Sequence, residues 1–139
     1  MMDTNFLALW GAGLSTVLAV VKLWEVWSNR FRMNVSHSFT SCPHEGNSIM
    51  IRNLSSRPVI MEYWELFFGS GIWPFRRTSD IDSPGPDAQD NRIDSHSSKT
   101  LVFTGPDHFA WGVDALKGRK IYIRLHIAGR RPITKKVYG

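Results

Sequence analysis

The chain has 139 residues, of which 42% are hydrophobic and 21% charged, and its net charge is +5. That balance excludes a disordered chain, and the length excludes more than one ordinary domain plus an appendage. A single cysteine, Cys42, excludes an intrachain disulfide framework and suits a reducing compartment.

The first element is an apolar helix. Asp3, Thr4 and Asn5 can each cap its N-terminus. Phe6 to Val21 carries no charge, and only Lys22 and Glu25 interrupt the apolar run to Trp27. Leu7, Leu9, Trp10, Leu14, Val17 and Leu18 surround the helix axis. A helix apolar all round is either fully buried or in lipid, and the chain that follows is too small to enclose one. At about 1.5 Å per residue the uncharged run spans about 24 Å, and extension to Trp27 gives about 33 Å, enough for a hydrocarbon core of about 30 Å. Lys22 then snorkels to the interface, where Trp24 and Trp27 are also at home. Asp3, with no basic residue before the run and no A-x-A site after it, argues against a signal peptide.

The expected organisation is a transmembrane helix in residues 1–29 and a domain in residues 30–139. Lys22, Arg30 and Arg32 lie on the C-terminal side of the span, and no basic residue lies on the other. The positive-inside rule therefore predicts a single-pass protein of the inner (cytoplasmic) membrane with the domain in the cytoplasm. Gly11, Ser15 and Ala19, spaced by four, form a row along which two such helices could associate, so a second copy of the chain is a candidate partner.

From Phe31 the hydrophobic period changes to two. Phe31, Met33, Val35, His37 and Phe39 alternate with polar residues and predict a strand with that set facing a core. Cys42 to Asn47 is a loop, Ser48 to Asn53 a short strand, and Leu54 to Arg57 a turn. Val59 to Phe68 is a central strand apolar on both faces, with Trp64 as the expected core aromatic. Gly69-Ser70-Gly71 turns the chain, and Ile72 to Arg77 pairs back as an edge strand marked by Pro74. Thr78 to Asn91 reads as one long polar loop. Order restarts at Ile93, and Lys99 to Thr104 is a strand. Asp107 is expected to cap a short helix that ends at Gly118. Arg119 to Ile127 alternates strongly, with Ile121, Ile123, Leu125 and Ile127 inward, and residues 132–138 return as the last strand. The fold class is mainly β: an antiparallel Ig-like β-sandwich of about seven strands and one short helix, preceded by the hydrophobic helix.

Three stretches carry a resemblance. Residues 49–60, IMIRNLSSRPVI, resemble the V-x-V-x-N-x-G/S-x-R-P-V-x-I strand-turn-strand of uncharacterised bacterial proteins with an N-terminal membrane helix and one Ig-like sandwich. Residues 92–103 are similar to the L-x-P-G-x-S-x-x-F segment that follows in them, with Ser95 where they have Pro and His96 where they have Gly. Ile121 to Tyr138 is similar to their closing hairpin. The resemblance implies a sandwich and carries no catalytic residues.

The remaining chemistry is sparse. Asp80-Ile81-Asp82 begins like a calcium loop but lacks the later ligands, and His37, Cys42 and His44 lack a fourth zinc ligand. No nucleophile elbow, zinc-protease helix, phosphate loop or dinucleotide fingerprint is present. No enzyme activity, catalytic residue, metal or cofactor is expected. Trp73, Phe75, Arg76 and Arg77 are the expected partner contacts on the edge strand, and Arg124, Arg130, Arg131, Lys135 and Lys136 the expected contacts with an anionic surface. The reading is a membrane-tethered, non-enzymatic interaction or scaffold module. Its expected partners are membrane lipid and a protein of unspecified identity. Two alternatives are a membrane-active effector that oligomerises through its helix and a soluble basic domain that binds nucleic acid; nucleic acid is not the expected partner.

Overall fold

The structure, a computed structural model, describes residues 3–71 and 76–139. The chain divides into two compact units, Met1–Phe31 and Arg32–Gly139. In the first, helix α1 spans Thr4–Ser28. Asp3 occupies its N-cap position without a side-chain bond, and the Asp3 carbonyl accepts from the N–H groups of Phe6 and Leu7. No described residue of α1 is buried.

The second unit is built from β1 (Met33–Ser38), β2 (Asn47–Asn53), β3 (Val59–Ser70), β4 (Arg77–Asp82), β5 (Asn91–Ile93), β6 (Ser98–Phe103), β7 (Lys120–Ile127) and β8 (Ile133–Tyr138). One antiparallel sheet has the order β1-β2-β6. The other runs β4-β3-β7-β8, with β5 pairing the start of β3. The two form a mainly β sandwich. Its centre is Ile49 and Ile51 of β2 with Leu66, Ile121, Ile123 and Leu125 of the facing sheet, all without solvent exposure. The period-two alternation of β2 and β7 places these residues on one face each.

β3 has apolar residues on both faces for a structural reason. Its register against β7 shifts between Met61 and Tyr63, so Glu62 is an extra residue in the strand. That bulge lets Met61 and Leu66 both face the core across an odd spacing. Tyr63, Glu65 and Phe67 then face outward. Trp64 points inward opposite Leu125 and meets Phe103 edge-on, with centroids 5.5 Å apart. It remains half-buried at the side of the sandwich, and the aliphatic cluster takes the central place expected of it.

Three expected elements differ. The edge strand beside β3 is Arg77–Asp82 and so occupies the start of the predicted loop; residues 72–75 lie outside the described residues. An edge strand needs backbone pairing on one side only, so the polar run from Thr78 to Asp80 can form one without an apolar alternation. In place of the helix from Asp107 there is a 3-10 turn, Gly105–Asp107, and then a short helix α2, Val113–Leu116. The intervening carbonyl of Phe109 accepts from the buried Asn47 Nδ2 at 2.8 Å, which holds that segment to the sandwich in a non-helical path. Finally, His37 shares the core-side face of β1 through its pairing with Ile49 but is exposed rather than buried. It lies 5.3 Å from the Tyr138 ring and 4.8 Å from that of Phe39, at the edge where β1 approaches β8.

The N-x-S-x-R-P stretch has a structural explanation. Asn53 has no solvent exposure. Its Nδ2 donates to the carbonyls of Arg57 (2.8 Å), Ile93 (3.2 Å) and Asp94 (3.2 Å), and its Oδ1 accepts from the Ser55 N–H (2.9 Å). One side chain thus joins the β2–β3 turn to the β5–β6 turn. In the latter, the Ser97 N–H bonds the Asp94 carbonyl and His96 holds φ at 56°. That is the third position of a turn where Gly is favoured. Ser95 Oγ donates to the Ser55 carbonyl at 2.8 Å, a bond proline could not make.

Candidate functional site

α1 is long and apolar enough to cross a membrane. Its 25 residues span about 37 Å at 1.5 Å each. The hydroxyl groups within the helix are satisfied locally. Ser15 Oγ donates to the Gly11 carbonyl at 2.8 Å, and Thr16 Oγ1 to the Ala12 carbonyl at 2.9 Å. Such back-bonding is how a hydroxyl avoids an unmet donor in lipid. Lys22 Nζ lies 2.9 Å from Glu25 Oε2, so the two charges neutralise one another near the C-terminal end, where Trp24 and Trp27 also sit.

The Gly11, Ser15 and Ala19 row is exposed, and a Cβ added at Gly11 would meet nothing. The concave part of the helix is elsewhere. Phe6, Leu9, Trp10, Leu14 and Val17 surround a notch over Gly13 of ≈ 360 Å³. At about 100° per residue this face lies roughly opposite the Gly11 row. The sequence reading missed it, because it depends on bulky residues flanking one glycine rather than on small residues in series.

The outward face of the larger sheet carries a ladder of charges and rings. Arg124 Nη1 and His126 Nε2 lie 3.3 and 3.0 Å from Glu65 Oε2. The hydrogen bond with His126, reinforced by the Arg124 charge, holds the Glu65 carboxyl below its usual range against the opposing effect of burial. Phe67 and Tyr122 stack at 5.8 Å, with Arg124 over Phe67 and Arg76 over Tyr122. Tyr122 lies so close over Gly69 that an added Cβ would fall 2.7 Å from its ring.

The five basic residues expected to share one surface are dispersed by this register. Arg124 is in mid-strand, bonded to Glu65. Lys136 lies opposite Tyr122 on the outer face, and Lys135 opposite Ile123 on the other. Arg130 and Arg131 are exposed in the β7–β8 turn. Of the expected partner contacts, Arg76 and Arg77 are exposed at the start of β4, whereas Trp73 and Phe75 lie outside the described residues.

A groove of ≈ 480 Å³ opens between β4 and β6, lined by Trp64, Leu101, Phe103, Asp82, Asp107 and Lys99 among others. Among the described residues the outer edge of β6 pairs with no strand, and Val102 on it is 58% exposed. The β3–β4 register also shifts, between Leu66 and Phe67, and leaves Ile81 as an extra residue. Asp82 therefore faces the groove side with Leu66, and Asp80 faces outward with Phe67. The two carboxylates diverge, which rules against their acting as a shared calcium pair. Burial raises the Asp82 carboxyl above its usual range, and the nearby Asp107 charge acts in the same direction against the Ser83 N–H bond.

No family model matches the chain, and no curated protein matches it in sequence. Among the described residues no group of three or more His, Cys, Asp or Glu converges as a metal site requires. His37 has aromatic neighbours, and Cys42 is exposed in the β1–β2 loop with His44.

Proposed function

We propose that the protein is a single-pass membrane-tethered interaction module without enzymatic chemistry, related to the bacterial helix-plus-sandwich proteins it resembles. α1 spans the inner membrane, and an Ig-like sandwich in the cytoplasm binds a protein partner. The observation that carries the reading is the exposure of every described residue of a 25-residue apolar helix, followed in the chain by a sandwich whose core draws only on later residues. Water is a poor solvent for such a surface; a hydrocarbon layer is a good one. The order β1-β2-β6 facing β4-β3-β7-β8, with the short β5 as a fifth strand of the larger sheet, supports the Ig-like layout.

The partner site best supported is the groove between β4 and β6. An extended segment can add to the unpaired edge of β6 by backbone bonds and place a side chain beside Trp64 and Phe103. Asp82 and Asp107 favour a basic residue in that segment. A photo-crosslinker at Val102, in the full chain in native membranes, tests this. One discrete adduct is expected, absent from a crosslinker at Lys135 and lost on Trp64→Ala. Equal adducts from both positions would refute the site.

A second reading, self-association through α1, is favoured by the Gly13 notch. Gly13→Leu fills the notch and Gly11→Leu fills the opposite row. In-membrane crosslinking reduced by either change identifies the face used, and association unaffected by both removes the reading.

A further inference from the structure

The register assigns each charged turn to one end of the sandwich. Met33 pairs with Asn53, Arg52 with Ser98, Val59 with Ile93 and Met61 with Ile127. The entry to β1, the β2–β3 turn, the β5–β6 turn and the β7–β8 turn therefore share one end. That end exposes Arg32, Arg57, Arg130 and Arg131, together with Leu54, which is 42% exposed. Its one acidic turn residue, Asp94, is ion-paired with Arg92 at 2.9 Å. At the opposite end Glu45, Asp107 and Asp114 mix with the basic residues.

These turns are bonded to one another. The Arg32 N–H donates to Ser55 Oγ at 2.9 Å, and the Leu54 N–H to the Arg32 carbonyl at 2.9 Å. The Asn53 N–H reaches the Ser97 carbonyl, and the Ala128 N–H the Ile60 carbonyl, both at 2.9 Å. The arginines are thus presented on a pre-organised end rather than on independent loops.

We propose that this arginine-bearing end seats on the anionic headgroups of the bilayer that α1 crosses. The inference rests on the membrane-tethered reading and specifies the surface that meets the lipid. Covalent reach selects lipid over other polyanions. Only residues 29–32 separate α1 from β1. Five Cα steps of about 3.8 Å span at most about 19 Å, so the end holding Met33 is kept near the point where the helix leaves the membrane. The opposite end of the sandwich is a strand length from Met33, about 20–25 Å, and has no such tether. Anionic lipid attracts each basic residue near its surface by about fivefold in population, and neutral lipid does not. Arg130 and Arg131, from the residues first expected to meet an anionic surface, belong to this end; Arg124, Lys135 and Lys136 lie along the strands.

The test uses the full chain in nanodiscs of phosphatidylcholine, with and without phosphatidylglycerol, and reads amide hydrogen exchange. Slower exchange is expected in residues 54–58 and 128–132 with the anionic lipid only. The loop at residues 40–46, at the opposite end, should be unchanged. Arg130→Glu with Arg131→Glu should abolish the difference while the β3 and β7 amides stay protected. In the unmodified protein, salt at about 1 M, where the Debye length is about 3 Å, should abolish it as well. Protein that resists alkaline carbonate extraction yet exchanges equally in both lipids overturns this inference alone. Extraction by carbonate overturns the membrane anchor, and this inference with it.

Discussion

Replacing Asn53 with alanine should destabilise the sandwich by about 2–6 kcal/mol. The side chain has no exposure and satisfies four backbone groups, the carbonyls of Arg57, Ile93 and Asp94 and the N–H of Ser55. The bonds to Ile93 and Ser55 are buried, whereas those to Arg57 and Asp94 are part-buried and can be replaced by water. Two buried orphans at about 1–3 kcal/mol each set the range. That is a large share of the about 5–15 kcal/mol stabilising an ordinary domain. Asn53→Asp separates the hydrogen-bond account from one of volume alone. The carboxylate keeps the bond from Ser55 but turns an acceptor toward three carbonyls. At neutral pH it should be at least as damaging as alanine, with partial recovery in acid as the group becomes protonated. The assay is urea unfolding of the full chain in detergent micelles, read by pulse proteolysis of the sandwich. If both variants lie within about 0.5 kcal/mol of the parent, as ordinary surface changes do, the joining role of Asn53 is refuted.

Other substitutions test the charge and backbone assignments by the same assay. Glu65→Gln should cost about 0.5–1 kcal/mol at pH 7. Because the folded carboxyl is held low, that contribution is complete above the ordinary glutamate range and disappears as pH falls through the folded value; a pH-independent difference would contradict the assignment. Asp82 has the opposite sign: its folded carboxyl is raised, so ionisation is penalised as pH rises through the folded value. Asp82→Asn should therefore stabilise the protein at pH 7 and converge with the parent in acid, and destabilisation at pH 7 would remove the burial argument. His96→Gly relieves a φ of 56° and, after the entropy cost of glycine, should stabilise by about 0.5 kcal/mol; a loss would mean that His96 makes a contact glycine cannot replace.

The parts of the fold legible from the residues were those where one physical constraint acts alone. β7 lies between β3 and β8 with one face on the core, so Ile121, Ile123, Leu125 and Ile127 alternate without interruption. The polar β4 gives no strand signal, because its partner supplies the pairing and its own residues carry no alternation. The segment after Asp107 departs from its local helix signals because Asn47, sixty-two positions from Phe109, captures a carbonyl that those signals treat as free. Trp64 could be identified as inward-facing but not as peripheral, since that depends on the bulge at Glu62 and on where β6 ends the smaller sheet. The candidate surfaces follow the same division. α1 was legible because its length and apolarity are carried by consecutive residues. The β6 groove and the arginine-bearing end were not, because each collects residues from turns and strands far apart in the chain. Arg32, Arg57 and Arg131 become neighbours only through the pairing of Met33 with Asn53 and Met61 with Ile127.

The central claim is that α1 holds a cytoplasmic sandwich at a membrane, and Cys42 permits a direct measurement. It is the chain's one cysteine and is exposed within the sandwich unit. Full-length protein in host-cell membranes is washed with alkaline carbonate, and parallel samples are treated with a membrane-impermeant maleimide in intact spheroplasts and in inverted vesicles. The account predicts that the protein stays in the pellet and that Cys42 is labelled in inverted vesicles but not in spheroplasts. Release into the supernatant, or labelling of Cys42 in intact spheroplasts, would contradict it.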